Sequence, residues 1–122
     1  MTRQEGTGVR DLTFSGWIRQ NLPDSATGFM VTDLDFILYN FKTKQIMLLE
    51  IKTRNSNIKE WQRNLFNNLN KWITKGIDDG WRYYGFHLIR FQKTNFLDGL
   101  VYFDNTEITE EELIQKLSKF SL

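Results

Sequence analysis

Apolar residues recur along this chain with two different periods, and the switches between them divide it into elements. From Asp11 to Leu22 the positions Leu12, Phe14, Trp17, Ile18 and Leu22 keep helical spacing. Gly16 weakens that helix, and Leu22-Pro23-Asp24-Ser25 reads as a stop and a turn. Phe29 to Phe41 is rich in β-branched and aromatic residues, which predicts one long strand, or a short strand followed by a longer one. Lys42-Thr43 supplies a tight hairpin connection, and Lys44 to Thr53 forms the second strand. Its run from Ile46 to Leu49 is apolar on both faces, as in an interior strand covered on both sides.

Helical spacing returns at Ile58, Trp61, Leu65, Phe66, Leu69, Trp72 and Ile73, with Ser56 placed to cap the helix and Lys75-Gly76 to end it. Trp81 to Gln92 reads as a further strand, paired with Leu100 to Asp104 through a turn near Asn95 to Gly99. Thr109 and Glu112 make a capping box. It opens a last helix with Leu113, Ile114, Leu117 and Phe120 inward. Helix, strands, helix, strands, helix predicts an α/β fold with a central mixed sheet flanked by helices.

Composition narrows the chemistry. The 122 residues suit one compact domain, and Phe 10, Trp 4 and Tyr 4 can fill its core. One proline and no low-complexity tract leave no linker, so residues 1–122 read as a single domain. Cysteine is absent, which excludes disulfides, thiolate metal sites and cysteine nucleophiles. No apolar run is long enough to span a bilayer, and the polar start lacks the apolar segment of a signal peptide, so the expected location is cytoplasmic, with no membrane partner. A net charge of +1 neither favours nor excludes nucleic acid, because a basic rim and an acidic centre cancel in the total.

The candidate chemistry lies where the first two strands meet. If Lys42-Thr43 is the turn, Asp35 falls opposite Glu50 and Asp33 opposite Lys52. Opposed residues share a face with Cβ atoms about 5 Å apart. Alternation keeps Asp33 with Asp35 and Glu50 with Lys52, so four charged groups emerge on one face at one end of the hairpin. Two carboxylates that close repel each other, and a hard divalent cation such as Mg²⁺ or Mn²⁺ relieves the repulsion. The carbonyl of Ile51 is a further candidate ligand, and Asp33 a ligand to a second ion or a support for the first. Such a set suits hydrolysis of a phosphodiester by an activated water, with Lys52 orienting that water or stabilising developing charge. The bland alternative is a surface hairpin end with compensating charges.

An Asp at the start of an apolar strand, a hairpin, then Glu50-Ile51-Lys52 ending the next strand before a helix resembles the PD-(D/E)XK nuclease superfamily. Gly28, the run Asp35-Phe36-Ile37-Leu38 and the run Leu48-Leu49-Glu50-Ile51-Lys52-Thr53 look most like its small Holliday-junction-resolvase-like phage and archaeal members. The resemblance covers roughly residues 12–92. It implies a restriction-endonuclease-like α-β-β-β-α-β core, metal binding by Asp35 and Glu50, and water activation by Lys52. A glutamine early in the following helix is common in related nucleases, and Gln62 fits that place; an exposed helix glutamine is the competing reading. Pro23-Asp24 matches the letters of the family name, but Asp24 sits in a turn sequence, so Asp35 is preferred while Asp33 and Asp24 stay open.

Arg54, Lys59 and Arg63 follow the site and are candidates for a phosphate-binding rim; Lys71 and Lys75 read as a solvated helix face. His87 and the tryptophans at 17, 61, 72 and 81 read as packing residues. The resulting expectation is a Mg²⁺-dependent DNA endonuclease of limited sequence specificity, in which a homodimer would bring two sites to two strands. The rivals are a catalytically silent nucleic-acid-binding or assembly module on the same fold, and a protein-interaction domain.

Overall fold

The computed structural model describes residues 13–119. The chain divides into two compact units, 1–32 and 33–122. In the first, helix α1 spans Thr13–Asn21, and a single 3-10 turn follows at Ser25–Thr27. None of the α1 residues is buried: Phe14 and Trp17 are exposed, so Trp17 is not the packing residue that its spacing predicts. Asp24 caps the 3-10 turn by accepting a hydrogen bond from the Ala26 N–H, 3.0 Å, which confirms the turn expected at Pro23-Asp24.

The second unit is a five-stranded sheet with a helix on each face. Its strands are β1 (Phe36–Asn40), β2 (Gln45–Lys52), β3 (Arg82–Phe91), β4 (Val101–Phe103) and β5 (Thr106–Glu107), in the spatial order β1-β2-β3-β4-β5. Helix α2 (Glu60–Gly76) links β2 to β3, which run parallel, and the other neighbours are antiparallel. Helix α3 (Glu110–Ser118) closes the described chain, with Thr109 and Glu112 forming the expected capping box. Alternation sorts the apolar residues. Ile58, Phe66, Leu69, Leu34, Phe86 and Leu88 form the core under α2; Leu49, Ile89, Val101, Ile108, Leu113 and Leu117 form the core under α3. Met47, Leu48 and Leu49 are all buried, as expected of a strand covered on both faces.

Phe66 is 1 % exposed and stacks on Phe86 with ring centroids 4.2 Å apart. Phe66→Ala should cost about 3–5 kcal/mol in urea unfolding, because the helix and sheet cannot close over the cavity. A loss below about 1 kcal/mol would show that α2 is not held by this contact.

Several expectations need correction, each for a local reason. The first strand is confined to Phe36–Asn40, and residues 29–35 form no strand. Its partner β2 ends at Lys52, so residues before Asp33 have nothing to pair with. Two strands, not the three implied by the family resemblance, therefore precede α2. The hairpin turn occupies Phe41 to Lys44, held by the Asn40 side chain accepting from the Lys42 and Thr43 N–H groups. Because this turn is centred on Lys42-Thr43, the register is the predicted one, with Phe36 opposite Leu49.

Ser56 does not cap α2; its hydroxyl donates to the Thr53 carbonyl, and Lys59 stands at the N-cap. Trp72 and Ile114 are exposed, because α2 and α3 are narrow helices that bury only the stripes through Phe66 and Leu113. Phe120 lies outside the described residues. At Tyr84-Gly85 an extra residue interrupts the parallel pairing between Ile46 and Leu48, and Gly85 takes φ +93°, which favours glycine. The bulge reverses alternation, so Tyr83 lies on the α2 face and bonds Asn70, away from His87. Strand β5 was not predicted. It follows a tight turn in which Asp104 and Asn105 have φ 49° and 69°, a geometry these two residues tolerate.

Candidate functional site

Glu50 ends the buried part of β2, where the strand emerges between the two layers. It is 3 % exposed, although it carries a carboxyl group. Its cross-strand position faces Asp35, one residue before β1 begins, as the register from Phe36 and Leu49 dictates. Two hydrogen bonds fix the pair. The Ile51 N–H donates to Asp35 Oδ2 at 2.8 Å, and the Asp35 N–H donates to Glu50 Oε1 at 3.3 Å. Each carboxyl group thus accepts from the backbone of the other segment, which holds the two together.

Burial pushes the Glu50 carboxyl up to about 8, and the hydrogen bond and negative charge of Asp35 add to it. The Asp35 N–H and the Lys52 charge act in the opposite direction but do not cancel it. Glu50 therefore holds its proton to higher pH than an ordinary glutamate does. Lys52 sits two residues on, hence on the same face and at the half-buried end of the strand. Both side chains share the face covered by α2, since Leu48 and Glu50 pair with Phe86 and Leu88 of that core.

The β2–α2–β3 unit places these groups at the carboxyl end of a strand beside a helix N-terminus, where open α/β sheets bind ligands. Arg54, Lys59 and Arg63 are all exposed on the segment that runs from β2 into the first turn of α2. Arg54 and Asn55 both adopt left-handed φ, 53° and 57°, and their N–H groups bond the carbonyls of Lys93 and Phe91. Gln62 is placed at the same helix end. Its side chain accepts from the Lys59 N–H at 3.2 Å, so it closes the α2 N-terminus, a role the sequence did not assign to it.

Asp33 is exposed beyond the end of β1, and among the described residues no third acid or histidine joins Asp35 and Glu50 into a larger cluster. The acids brought together here are therefore the two carboxyl groups of Asp35 and Glu50. Both are oxygen donors, which fits Mg²⁺ or Mn²⁺ and not a soft metal. Two acids held together by each other's backbone leave this place short of positive charge when both ionise.

His87 belongs elsewhere. It pairs with Leu49 in register, so it faces α3, opposite to Glu50. Its Nδ1 lies 2.5 Å from Asp104 Oδ2, its Nε2 is 2.6 Å from the Tyr84 carbonyl, and its ring stacks on Phe103. The Asp104 hydrogen bond raises the His87 pKa against the opposing effect of burial. Burial pushes Asp104 up, but bonds from His87 and the Leu88 N–H outweigh it and hold Asp104 below its usual value. His87 is thus held at both ring nitrogens and packed against Phe103 on the α3 face.

Arg90 is the residue that sequence reasoning passed over. It is the parallel-register partner of Lys52 and lies over the Tyr102 ring, 4.7 Å from its centroid.

No family model matches the chain, and no solved structure does. An uncharacterized protein of Archaeoglobus fulgidus is 26 % identical over 117 residues, covering 90 % of this chain and 78 % of that one. No helix of the described residues is long and apolar enough to cross a membrane.

Proposed function

We propose that the unit formed by residues 33–122 is a divalent-metal-dependent nuclease that hydrolyses DNA phosphodiester bonds, with Asp35, Glu50 and Lys52 at its centre. The observation that carries this reading is a buried Glu50 at the carboxyl end of β2 that accepts a hydrogen bond from the Asp35 N–H, while the Asp35 carboxyl accepts one from the Ile51 N–H. A structural role gives no reason to bury an acid against another acid. A cation site does, because the ion replaces the proton.

Asp35 and Glu50 would hold Mg²⁺ or Mn²⁺, with the Ile51 carbonyl as a further ligand. When bound, the ion supplies Lewis-acid activation of the phosphoryl group and of the attacking water. The remaining work falls to the chain. Lys52, on the same face as Glu50, orients the water and stabilises negative charge as the water oxygen adds to phosphorus and the ester oxygen leaves. Arg54, Lys59 and Arg63 line the approach and bind the strand by its phosphates, which favours recognition of DNA shape over sequence. Four-way junctions are the first substrate to try, in keeping with the branch of the PD-(D/E)XK superfamily that the sequence resembles. A pair of these units would give cuts in two strands.

Calorimetric titration with Mn²⁺ tests the metal half of this reading. Binding should strengthen as pH rises from 6 toward 8, and should release close to one proton per ion below the Glu50 pKa of about 8. Glu50→Ala should abolish it. No heat at millimolar Mn²⁺ would remove the metal and favour a nucleic-acid-binding module without catalysis.

A further inference from the structure

His87 is the single histidine of the chain, and both of its ring nitrogens face acceptors. Nδ1 lies 2.5 Å from Asp104 Oδ2, and Nε2 lies 2.6 Å from the Tyr84 carbonyl oxygen. Asp104 is held below its ordinary value, so its carboxyl group is ionised at neutral pH. Neither a carboxylate nor a carbonyl can donate a hydrogen bond. A neutral imidazole has one N–H, so it satisfies one of these acceptors and turns a lone pair toward the other. Only the imidazolium, with an N–H at each nitrogen, satisfies both.

The two acceptors belong to the two irregular places of the sheet. Tyr84 and Gly85 form the bulge of β3, where the register with β2 is interrupted. Asp104 and Asn105 make the turn between β4 and β5, with left-handed φ of 49° and 69°. Asp104 is also bonded to β3 directly: its Oδ1 accepts from the Leu88 N–H at 2.9 Å, and its own N–H donates to the Leu88 carbonyl at 2.9 Å. The His87 ring thus bridges bulge and turn, stacked on Phe103 with centroids 5.0 Å apart. Beyond the turn, the Ile108 N–H bonds the Val101 carbonyl, and both residues belong to the core under α3. Whatever holds the turn therefore holds the start of the segment that carries α3.

We propose that His87 is a proton-operated latch: as the imidazolium it ties the β4–β5 turn to the β3 bulge, and on losing a proton it releases the turn. Deprotonation removes one N–H and sets a ring lone pair against Asp104 or the Tyr84 carbonyl. It also removes the positive charge beside Asp104, in a turn whose left-handed backbone costs free energy to hold. The Asp104 hydrogen bond raises the His87 pKa above its ordinary 6.5, and the Tyr84 carbonyl and the Asp104 charge add to this. Burial opposes them, as does Lys116 of α3, whose ammonium lies 5.2 Å from the Phe103 ring centroid. Phe103 of β4 and Leu49 of β2, the register partner of His87, bring no charge. The latch is therefore fully closed below pH 6.5 and is lost as pH rises through the higher folded value. It does not rest on the nuclease reading, because His87 faces away from Glu50.

A single histidine makes the test direct. The full chain, labelled with ¹⁵N, is titrated from about pH 5 to about pH 10 while long-range ¹H–¹⁵N correlation follows the two ring nitrogens. Both should be protonated at pH 7, with one midpoint above 6.5. Asp104→Asn keeps a residue that tolerates the left-handed turn but can set an amide N–H against Nδ1, so its midpoint should fall by about one unit or more. Amide exchange at Asp104 and Ile108, corrected for the intrinsic pH dependence of each amide, reads the release. In wild type the opening equilibrium should rise about tenfold per pH unit between 6.5 and the His87 midpoint, then level off. The same rise should appear in Glu50→Gln, which removes the titration on the other face, and should be absent in His87→Gln.

A ring with one protonated nitrogen at pH 7, or a midpoint at or below 6.5, would overturn the latch without any variant. An unchanged midpoint in Asp104→Asn would overturn it too. So would opening that does not follow the His87 titration, or a rise that vanishes in Glu50→Gln and so belongs to the other face of the sheet.

Discussion

Replacing Glu50 with glutamine should make the metal-free protein more stable at pH 8 and above, by an amount on the order of 2 kcal/mol. Glutamine has the same shape and can still accept from the Asp35 N–H, but it never ionises. The wild-type carboxyl is raised from an ordinary value of 4.5 to about 8, so the folded state holds a proton that the unfolded chain has already released. The sign follows. The favourable contribution of protonated Glu50 is complete below about pH 4.5 and is lost as pH rises through 8. The wild type should therefore lose stability across that window, whereas Glu50→Gln should show a flatter profile in urea unfolding at stepped pH. Millimolar Mn²⁺ should reverse the order by stabilising the wild type and not the variant. Equal pH profiles for the two proteins would mean that Glu50 is ionised in the fold and that Asp35 is not its partner.

Replacing Lys52 with alanine should lower the rate of DNA cleavage by about 10²–10³, the usual scale for loss of one charge-stabilising group in a site sheltered from water. The same variant should keep its affinity for Mn²⁺ or gain some, because a positive charge beside the carboxylates has gone. This separation distinguishes Lys52 from Glu50, whose alanine variant should lose metal binding and cleavage together. Lys52 is half-buried at the end of β2 and supports neither core, so its removal should leave folding intact. A Lys52→Ala protein that cuts as fast as the wild type would reduce this residue to an ordinary strand-end charge.

The hairpin was legible because its information is local. A turn centred on Lys42-Thr43 sets the register, and the register sets Asp35 against Glu50. It did not matter that four residues form the turn where two were expected, since the centre is the same. Asp104-Asn105 also carries a readable turn signal, since both residue types tolerate the left-handed backbone found there. The parallel pairing was not legible in the same way. Its register depends on where the seventeen residues of α2 return the chain, and on the bulge at Gly85, so no local pattern places Arg90 beside Lys52. The stretch 29–35 departs from its strand-like composition for a related reason. Its residues favour strands, but a strand needs a partner: β2 ends opposite Asp33, which leaves 29–32 without one, and at 33–35 the Asp35 side chain rather than the backbone takes the Ile51 N–H.

Gln62 shows the limit from the other side. Its spacing from Lys52 suggests chemistry, and its geometry adds a helix cap, which any glutamine at the third position of a helix can form. The carboxylate pair is different, because the burial of Glu50 has no such local use.

The central claim is that this pair, with Lys52, forms a metal-dependent nuclease centre. The direct measurement is incubation of supercoiled plasmid and of four-way-junction DNA with the wild-type protein in Mg²⁺, in Mn²⁺ and in EDTA, beside Glu50→Ala and Lys52→Ala. Cleavage that needs the metal and disappears in both variants is the predicted result. Cleavage that persists in both variants, or no cleavage of either DNA by a wild type that binds Mn²⁺, would contradict it.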